Sequence, residues 1–190
     1  MRDRLIIGFA GYVGSGKTTL SNYFVQNHGF VRLSFAAKIK EIMVVLGVPE
    51  EVLADPIRKE QPHPALCGVS PRAFMEALGK MARDLTNGQL WLQQFVLAAQ
   101  PKPLVICDDV RHQNEADLIL ENGGHVFRLR VPGTQPRVPT DFKVDELVGV
   151  EDLTNDIGTT LLKHLYQFTY AKAFEQIARD TSYTDWKADQ

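Results

Sequence analysis

Residues 5–19 read LIIGFAGYVGSGKTT, and the order of residue types in this stretch decides the fold. Leu5 to Ala10 is a continuous apolar run closed by glycine, which suits a strand buried on both faces of a parallel sheet. Gly11 to Thr18, GYVGSGKT, then sets Gly11, Gly16, Lys17 and Thr18 at the spacing of the Walker A pattern. Each residue type has a mechanical reason. Glycines let the backbone turn tightly and bring N–H groups against phosphate oxygens, and the helix that follows adds its positive end. Lys17 supplies a compact cation for the β and γ phosphates, and the Thr18 hydroxyl completes a magnesium shell with phosphate oxygens and waters. The expected ATP-binding set is therefore Gly11, Val13, Gly14, Ser15, Gly16, Lys17, Thr18 and Thr19, with ATP and Mg2+ as the implied ligands. The competing reading, a plain glycine-rich turn, is weakened by context, because the pattern stands between a buried-strand run and a helix over Thr18–Gln26.

Outward from this stretch, strand and helix signals alternate. Val31–Phe35 reads as a second strand, and Ala36–Leu46 repeats apolar residues at helical spacing until Gly47 and Pro49 interrupt it. Asp55–Pro71 reads as a surface excursion, and Ser70-Pro71 opens a helix that runs to Leu85. Trp91–Ala99 is helical, Leu104–Cys107 is a third strand, and Asn114–Glu121 is a helix closed by Gly123 and Gly124. His125–Val131 alternates as a fourth strand. Pro132–Val144 has the composition of an exposed loop, a short strand follows near Val148–Leu153, and Thr159–Arg179 is the last helical region. This order implies right-handed crossovers and a parallel sheet covered on both faces, an α/β three-layer architecture that binds ligands at the strands' carboxyl ends. The expected organisation is one domain over 1–190, with a helical insertion for substrate at about 36–100 and a lid segment at about 132–147.

Composition narrows the function classes. Lys plus Arg number 21 against 23 Asp plus Glu, a net charge of -2, so the basic footprint of a nucleic-acid binder is missing. The only cysteines, Cys67 and Cys107, match no zinc spacing, and no secretory leader precedes the first strand, which points to a reducing cytoplasm. No apolar run approaches the roughly 20 residues of a membrane-spanning helix.

The remaining chemistry-bearing residues follow from what phosphoryl transfer demands. Asp108 and Asp109 close the third strand, where a carboxylate can hold magnesium through water; Asp109 is preferred as the metal-side acid, and capping of the next helix is the alternative role. Charge spread over equatorial oxygens calls for converging cations, and the candidates are Arg72, Arg83, Arg111, Arg130 and Arg137. Arg111, two residues past Asp109, should face the reaction centre, and Arg72, beside the helix-starting proline, is placed for an anionic substrate. With Lys17 and Asp109 they form the expected catalytic set. Arg130 and Arg137 are the lid candidates, Arg137 able to swing over the phosphates on closure. Lys40 is a candidate for the acceptor's phosphate, and Phe35 with Trp91 for a base sandwich, although aromatics in apolar surroundings are more often core.

Together these residues resemble the deoxynucleoside monophosphate kinase family of tailed bacteriophages, within the wider nucleoside monophosphate kinase group. The resemblance rests on GYVGSGKTT, SFAAKIKEI, SPRAFMEALGKMARDL with LWLQQF, DDVRHQNEADLILENGGHVFRLRVPG and TNDIGTTLLKHL, and spans most of the chain. It implies that Lys17 and Thr18 serve ATP and magnesium, that Asp109 and Arg111 form an acid-x-arginine signature, and that Arg72 and Lys40 hold a deoxynucleoside monophosphate. The chain departs from the family where Lys38 replaces a proline, where Val131 replaces an arginine, and where PTDFKVDE replaces a histidine-bearing lid. Two other readings stand beside it. One is a P-loop kinase of another acceptor, of dephospho-coenzyme A or phosphomevalonate type, in which Asp109 would act as base on a hydroxyl. The other is a nucleotide-dependent assembly ATPase. Base preference and self-pairing into a homodimer stay open.

Overall fold

The structure, a computed structural model, describes residues 4–136 and 143–155. The Arg137 candidate, the middle of the expected lid, the helical region after Thr159 and most of TNDIGTTLLKHL lie outside these residues. The described residues fall into two compact units, residues 4–33 with 101–136 and 143–155, and residues 34–100.

The first unit is a five-stranded, all-parallel sheet in the order β2-β3-β1-β4-β5. Its strands are β1 Leu5–Gly11, β2 Val31–Leu33, β3 Leu104–Cys107, β4 His125–Arg130 and β5 Glu151–Thr154. β1 is central and buried along its whole length, which is why its sequence reads as an unbroken apolar run. Its alternate side chains feed two layers. Leu5, Ile7 and Phe9 join Ile106, Phe127 and Leu129 in a core completed by Leu20 and Phe24 of helix α1, Lys17–His28. On the opposite face, Gly8 lies beneath Ile119 of helix α6, Gln113–Glu121; a Cβ there would stand 2.8 Å from Ile119 Cδ1. The helices thus cover both faces, giving the three-layer arrangement expected from the alternation of elements.

The second unit carries α2 Ala37–Val45, α3 Glu50–Ala54, α4 Pro71–Leu85 and α5 Gln89–Ala99. Ser70 caps α4, accepting from Ala73 N–H, and Pro71 occupies the first turn, where its missing donor costs nothing. Among the described residues, two apolar clusters and the stacked rings of Phe35 and Phe95 pack this unit. Met43, Val48, Val52, Leu53 and Leu66 form one, Ile39, Ala82 and Trp91 the other, and Met75 packs against both.

Several boundaries differ from the sequence expectation for physical reasons. β2 stops at Leu33, because Phe35 turns into the second unit's core and stacks on Phe95 at 4.2 Å between centroids. The helix α3 is too short for a helical period to show in sequence. β5 begins at Glu151 rather than near Val148 and ends at Thr154, an edge strand whose sequence EDLT carries little apolar alternation.

Candidate active site

Everything that distinguishes residues 11–16 follows from close packing. Gly11, at φ 146, leaves no room for a side chain: a Cβ there would lie 2.5 Å from Ser15 Oγ and 2.7 Å from Leu129 O. Gly16, at φ 92, is the left-handed N-cap of α1, and a Cβ there would lie 2.8 Å from Asn155 Nδ2. Gly16 gives α1 no side-chain cap, and the positive end of the helix dipole points into this loop. The Lys17 ammonium curls back over the same loop, donating to Gly11 O and Tyr12 O at 2.7 Å each. Val13 and Gly14 form the loop's rim, Ser15 is buried beneath it, and Thr18 and Thr19 are exposed on the first turn of α1. A loop of this shape concentrates donors and one cation around a space that no Cβ occupies, and that suits an anion.

The neighbouring strand brings the acids alongside. Gly8 of β1 pairs with Cys107 of β3, and Val110 N–H donates to Phe9 O at 3.3 Å, so residues 108–111 emerge beside the loop that follows β1. The two aspartates then part company. Asp108 faces Arg32 of β2 at 3.7 Å, whereas Asp109 accepts from the Cys107 thiol at 3.1 Å. Burial, with the Asp109 charge beside it, pushes the Cys107 thiol well above its ordinary range, so it stays protonated and can keep donating. The N-cap residue of α6 is His112. His112 and Glu115 form a capping box there, and the buried Glu115 carboxylate also accepts from Arg111 N–H at 2.8 Å. That contact fixes the backbone of Arg111.

A second polar cluster lies on the other side of the loop. Arg128 is buried and makes a two-pronged pair with Asp152, at 2.6 Å for each nitrogen. Its remaining donors reach the carbonyls of Val144, Asp145 and Leu147, which fastens residues 144–147 to β4. Arg130 donates to Asp152 at 2.8 Å and to Asp145 at 2.9 Å, and the Tyr12 hydroxyl donates to Asp145. Hydrogen bonds from Arg128, with Arg130 adding to them, hold the Asp152 carboxyl down at about 2. Tyr12, Arg130, Pro132, Thr134 and Asp145 line a cleft of about 380 Å³ at this end of the sheet. Arg130, expected as a lid residue, thus closes β4 with its guanidinium paired to two aspartates.

The second unit holds the other expected residues. Arg72 pairs with Glu60 at 3.0 Å, Arg83 is half-buried, and Lys40 is exposed on α2. Arg72, Gly79 and Arg83 share one face of α4 by helical spacing, and the Arg83 guanidinium lies against Gly79. The base sandwich expected of Phe35 and Trp91 is replaced by core packing. Trp91 is buried beside Ile39 and Ala82 with its indole N–H donating to Gly79 O at 3.2 Å, and Phe35 stacks on Phe95 instead. Each ring has its own partner, as buried aromatics flanked by apolar residues commonly do.

Over 146 residues the chain is 31% identical to the "Putative deoxynucleotide monophosphate kinase" of Acanthamoeba polyphaga mimivirus, covering 68% of this chain and 75% of that protein. The chain belongs to this kinase family. The kinase is also 27% identical over 137 residues to the uncharacterized protein ORF76 of Ictalurid herpesvirus 1 (strain Auburn), of whose length it spans about half, 49%. Its fold is shared with the solved structure of TT1252 from Thermus thermophilus, with a TM-score of 0.51 at 16% identity, covering 89% of this chain and 97% of that one. No protein-family model matches the sequence. Among the described residues no helix is long and apolar enough to cross a membrane.

Tyr12, Cys107, Glu115, Arg128, Asp145, Asp152 and Asn155 are the site residues that sequence reasoning missed. Only Glu115 carried a local signal, standing three residues after His112 at the start of an apolar-periodic helix.

Proposed function

We propose that this kinase transfers the γ-phosphoryl group of ATP, bound with Mg2+, to the phosphate of a deoxynucleoside 5'-monophosphate, giving ADP and the diphosphate. The observation that carries the reading is the loop of residues 11–16. Its two closely packed glycines, helix start and lysine form a phosphate cradle, and Asp109 and Arg111 stand at the end of the adjacent strand. The mimivirus relative's name supports the acceptor class, the sequence blocks resemble those of the bacteriophage deoxynucleoside monophosphate kinases, and the reaction would run in a cytoplasm.

Each residue then has a task. The N–H groups of residues 13, 14 and 16–19 and the Lys17 ammonium take the β and γ phosphates, while the Ser15 N–H donates to Tyr12 O at 3.1 Å and braces the loop; Thr18 and Asp109 are the residues that would hold the metal. Held there, magnesium would supply charge neutralisation for the phosphates. Arg111 meets the transferring group, and Arg72, with Lys40 and Arg83, holds the acceptor. A phosphate monoester has its second pKa near about 6, so the attacking oxygen is already anionic at neutral pH and no general base is required. Catalysis is positioning plus charge stabilisation.

The test is a coupled ADP-release assay with ATP and magnesium against each deoxy- and ribonucleoside monophosphate. Turnover with one or more deoxynucleotides is the expected result. Turnover only with a hydroxyl acceptor, with an acid-base limb in its pH profile, would move the assignment to the other kinase class. ADP release without any acceptor would move it to an ATPase.

A further inference from the structure

Asn155, just past β5, makes two bonds that meet at the loop. Its side-chain Nδ2 donates to Ser15 O at 3.0 Å, and its own backbone N–H donates to Arg130 O at 2.6 Å. One residue thereby ties the loop to the end of β4. Peptide geometry gives the first bond a consequence. In a planar trans peptide the carbonyl and the following N–H point in opposite directions, so holding the Ser15 oxygen on Asn155 turns the Gly16 N–H the other way. Gly16 sits at positive φ, where a glycine can also adopt other conformations, and without the tether its peptide with Ser15 could rotate and turn the carbonyl inward. An inward carbonyl would repel an anion. The packing is tight, since a Cβ on Gly16 would lie 2.8 Å from the Asn155 amide. The glycine is demanded by its protein neighbour as well as by any ligand.

We infer that Asn155 is a positioning residue for nucleotide binding: it locks the Ser15–Gly16 peptide with its N–H turned toward the phosphates. This rests on the reading of residues 11–19 as the phosphate cradle. Asparagine fits the task chemically, because a carboxylate of the same shape would set acceptor against acceptor at Ser15 O, and a methyl group would leave that carbonyl without this donor.

The experiment measures binding of ATP with magnesium by calorimetry, and steady-state KM for ATP and for the acceptor, in the full chain carrying Asn155→Ala, Asn155→Ser or Asn155→Asp. Thermal melting without ligand is recorded for each. Loss of one such bond predicts ATP affinity lower by about 10-fold in Asn155→Ala and lower still in Asn155→Asp, with the serine variant between alanine and wild type. The acceptor KM should stay within about twofold, and the unliganded melt should move little. Alanine and wild-type proteins binding ATP within about twofold of one another would overturn the inference, as would equal rises in both KM values. Should Asn155→Ala fail to fold, the serine variant decides on the same criterion. A wild-type protein that binds no ATP would instead overturn the cradle reading, which separates the two failures.

Discussion

Lys17 is half-buried and its ammonium is bound to two carbonyls of its own loop, so its value lies in charge rather than in packing. Lys17→Ala should lower kcat/KM by at least about 10³-fold, on the scale of losing one preorganised charge contact to the transition state, while the melting temperature stays within a few degrees. Near-wild-type turnover in that variant would remove the assignment. Asp152 makes the opposite case, a residue whose effect is on stability. Its carboxyl is held at about 2 in the folded protein, below the ordinary value near about 3.9, so the stabilisation is complete above pH ~4 and disappears as pH falls toward 2. Asp152→Asn should cost about 1 to 2 kcal/mol at neutral pH, the half-exposed carboxylate being screened, and the gap between the two proteins in urea melts should close on acidification. A gap independent of pH between 7 and 3 would contradict the ion-pair account. The two residues also differ in how far sequence exposes them. Lys17 belongs to a local spacing with a chemical purpose, whereas Tyr12 meets Asp145 across 133 positions and Asn155 meets Ser15 across 140. An asparagine or a tyrosine carries no mark of such a partner until the sheet brings them together.

At the level of elements, what was readable is what short-range chemistry decides. Ser70-Pro71 announced the start of α4, because an N-cap hydroxyl and a first-turn proline act within one turn of chain. The end of α6 was announced by Gly123 and Gly124, and the second of these is fixed by the sheet: a Cβ on Gly124 would lie 2.4 Å from Ile6 O. α6 begins at Gln113, one residue before the sequence expectation, and its N-cap is a histidine rather than a Ser, Thr, Asp or Asn that would mark a helix start. Glu115 gathers the N–H groups of Arg111 and His112, and this makes the turn after β3 a rigid platform rather than a loose loop. Glu115→Ala should therefore act twice. Stability should fall by about 1 to 2 kcal/mol through the lost cap, and turnover should fall with little change in ATP affinity, because Arg111 loses its backbone anchor. Denaturant melts and a kcat against KM comparison separate these effects; unchanged kcat would mean that Arg111 does not depend on the turn. α3 and β5 were the elements least legible, one too brief for a period and the other an edge strand with two acids in four residues.

For the molecule as a whole, the sheet order explains why one end carries the chemistry. β1 lies between β3 and β4, so parallel pairing delivers the loop after β1, the acids after β3 and the arginines of β4 to the same edge, although they are far apart in sequence. A ligand bound there touches groups that exist together only in the folded state, and it must stabilise that state by mass action. At 100 times its dissociation constant, ATP with magnesium should add about 2.7 kcal/mol, which for a chain of this size raises the melting temperature by roughly 5 to 10 °C. The rise should grow with the logarithm of nucleotide concentration. It should shrink when EDTA removes the metal, and it should be nearly absent in Lys17→Ala, whose unliganded melt is close to wild type. A deoxynucleoside monophosphate should add a further increment in the presence of a non-transferable ATP analogue. A melt indifferent to nucleotide at millimolar concentration would mean that the edge does not hold a triphosphate, whatever the turnover assays report. A shift with ATP that Lys17→Ala retains in full would place the bound nucleotide away from the loop.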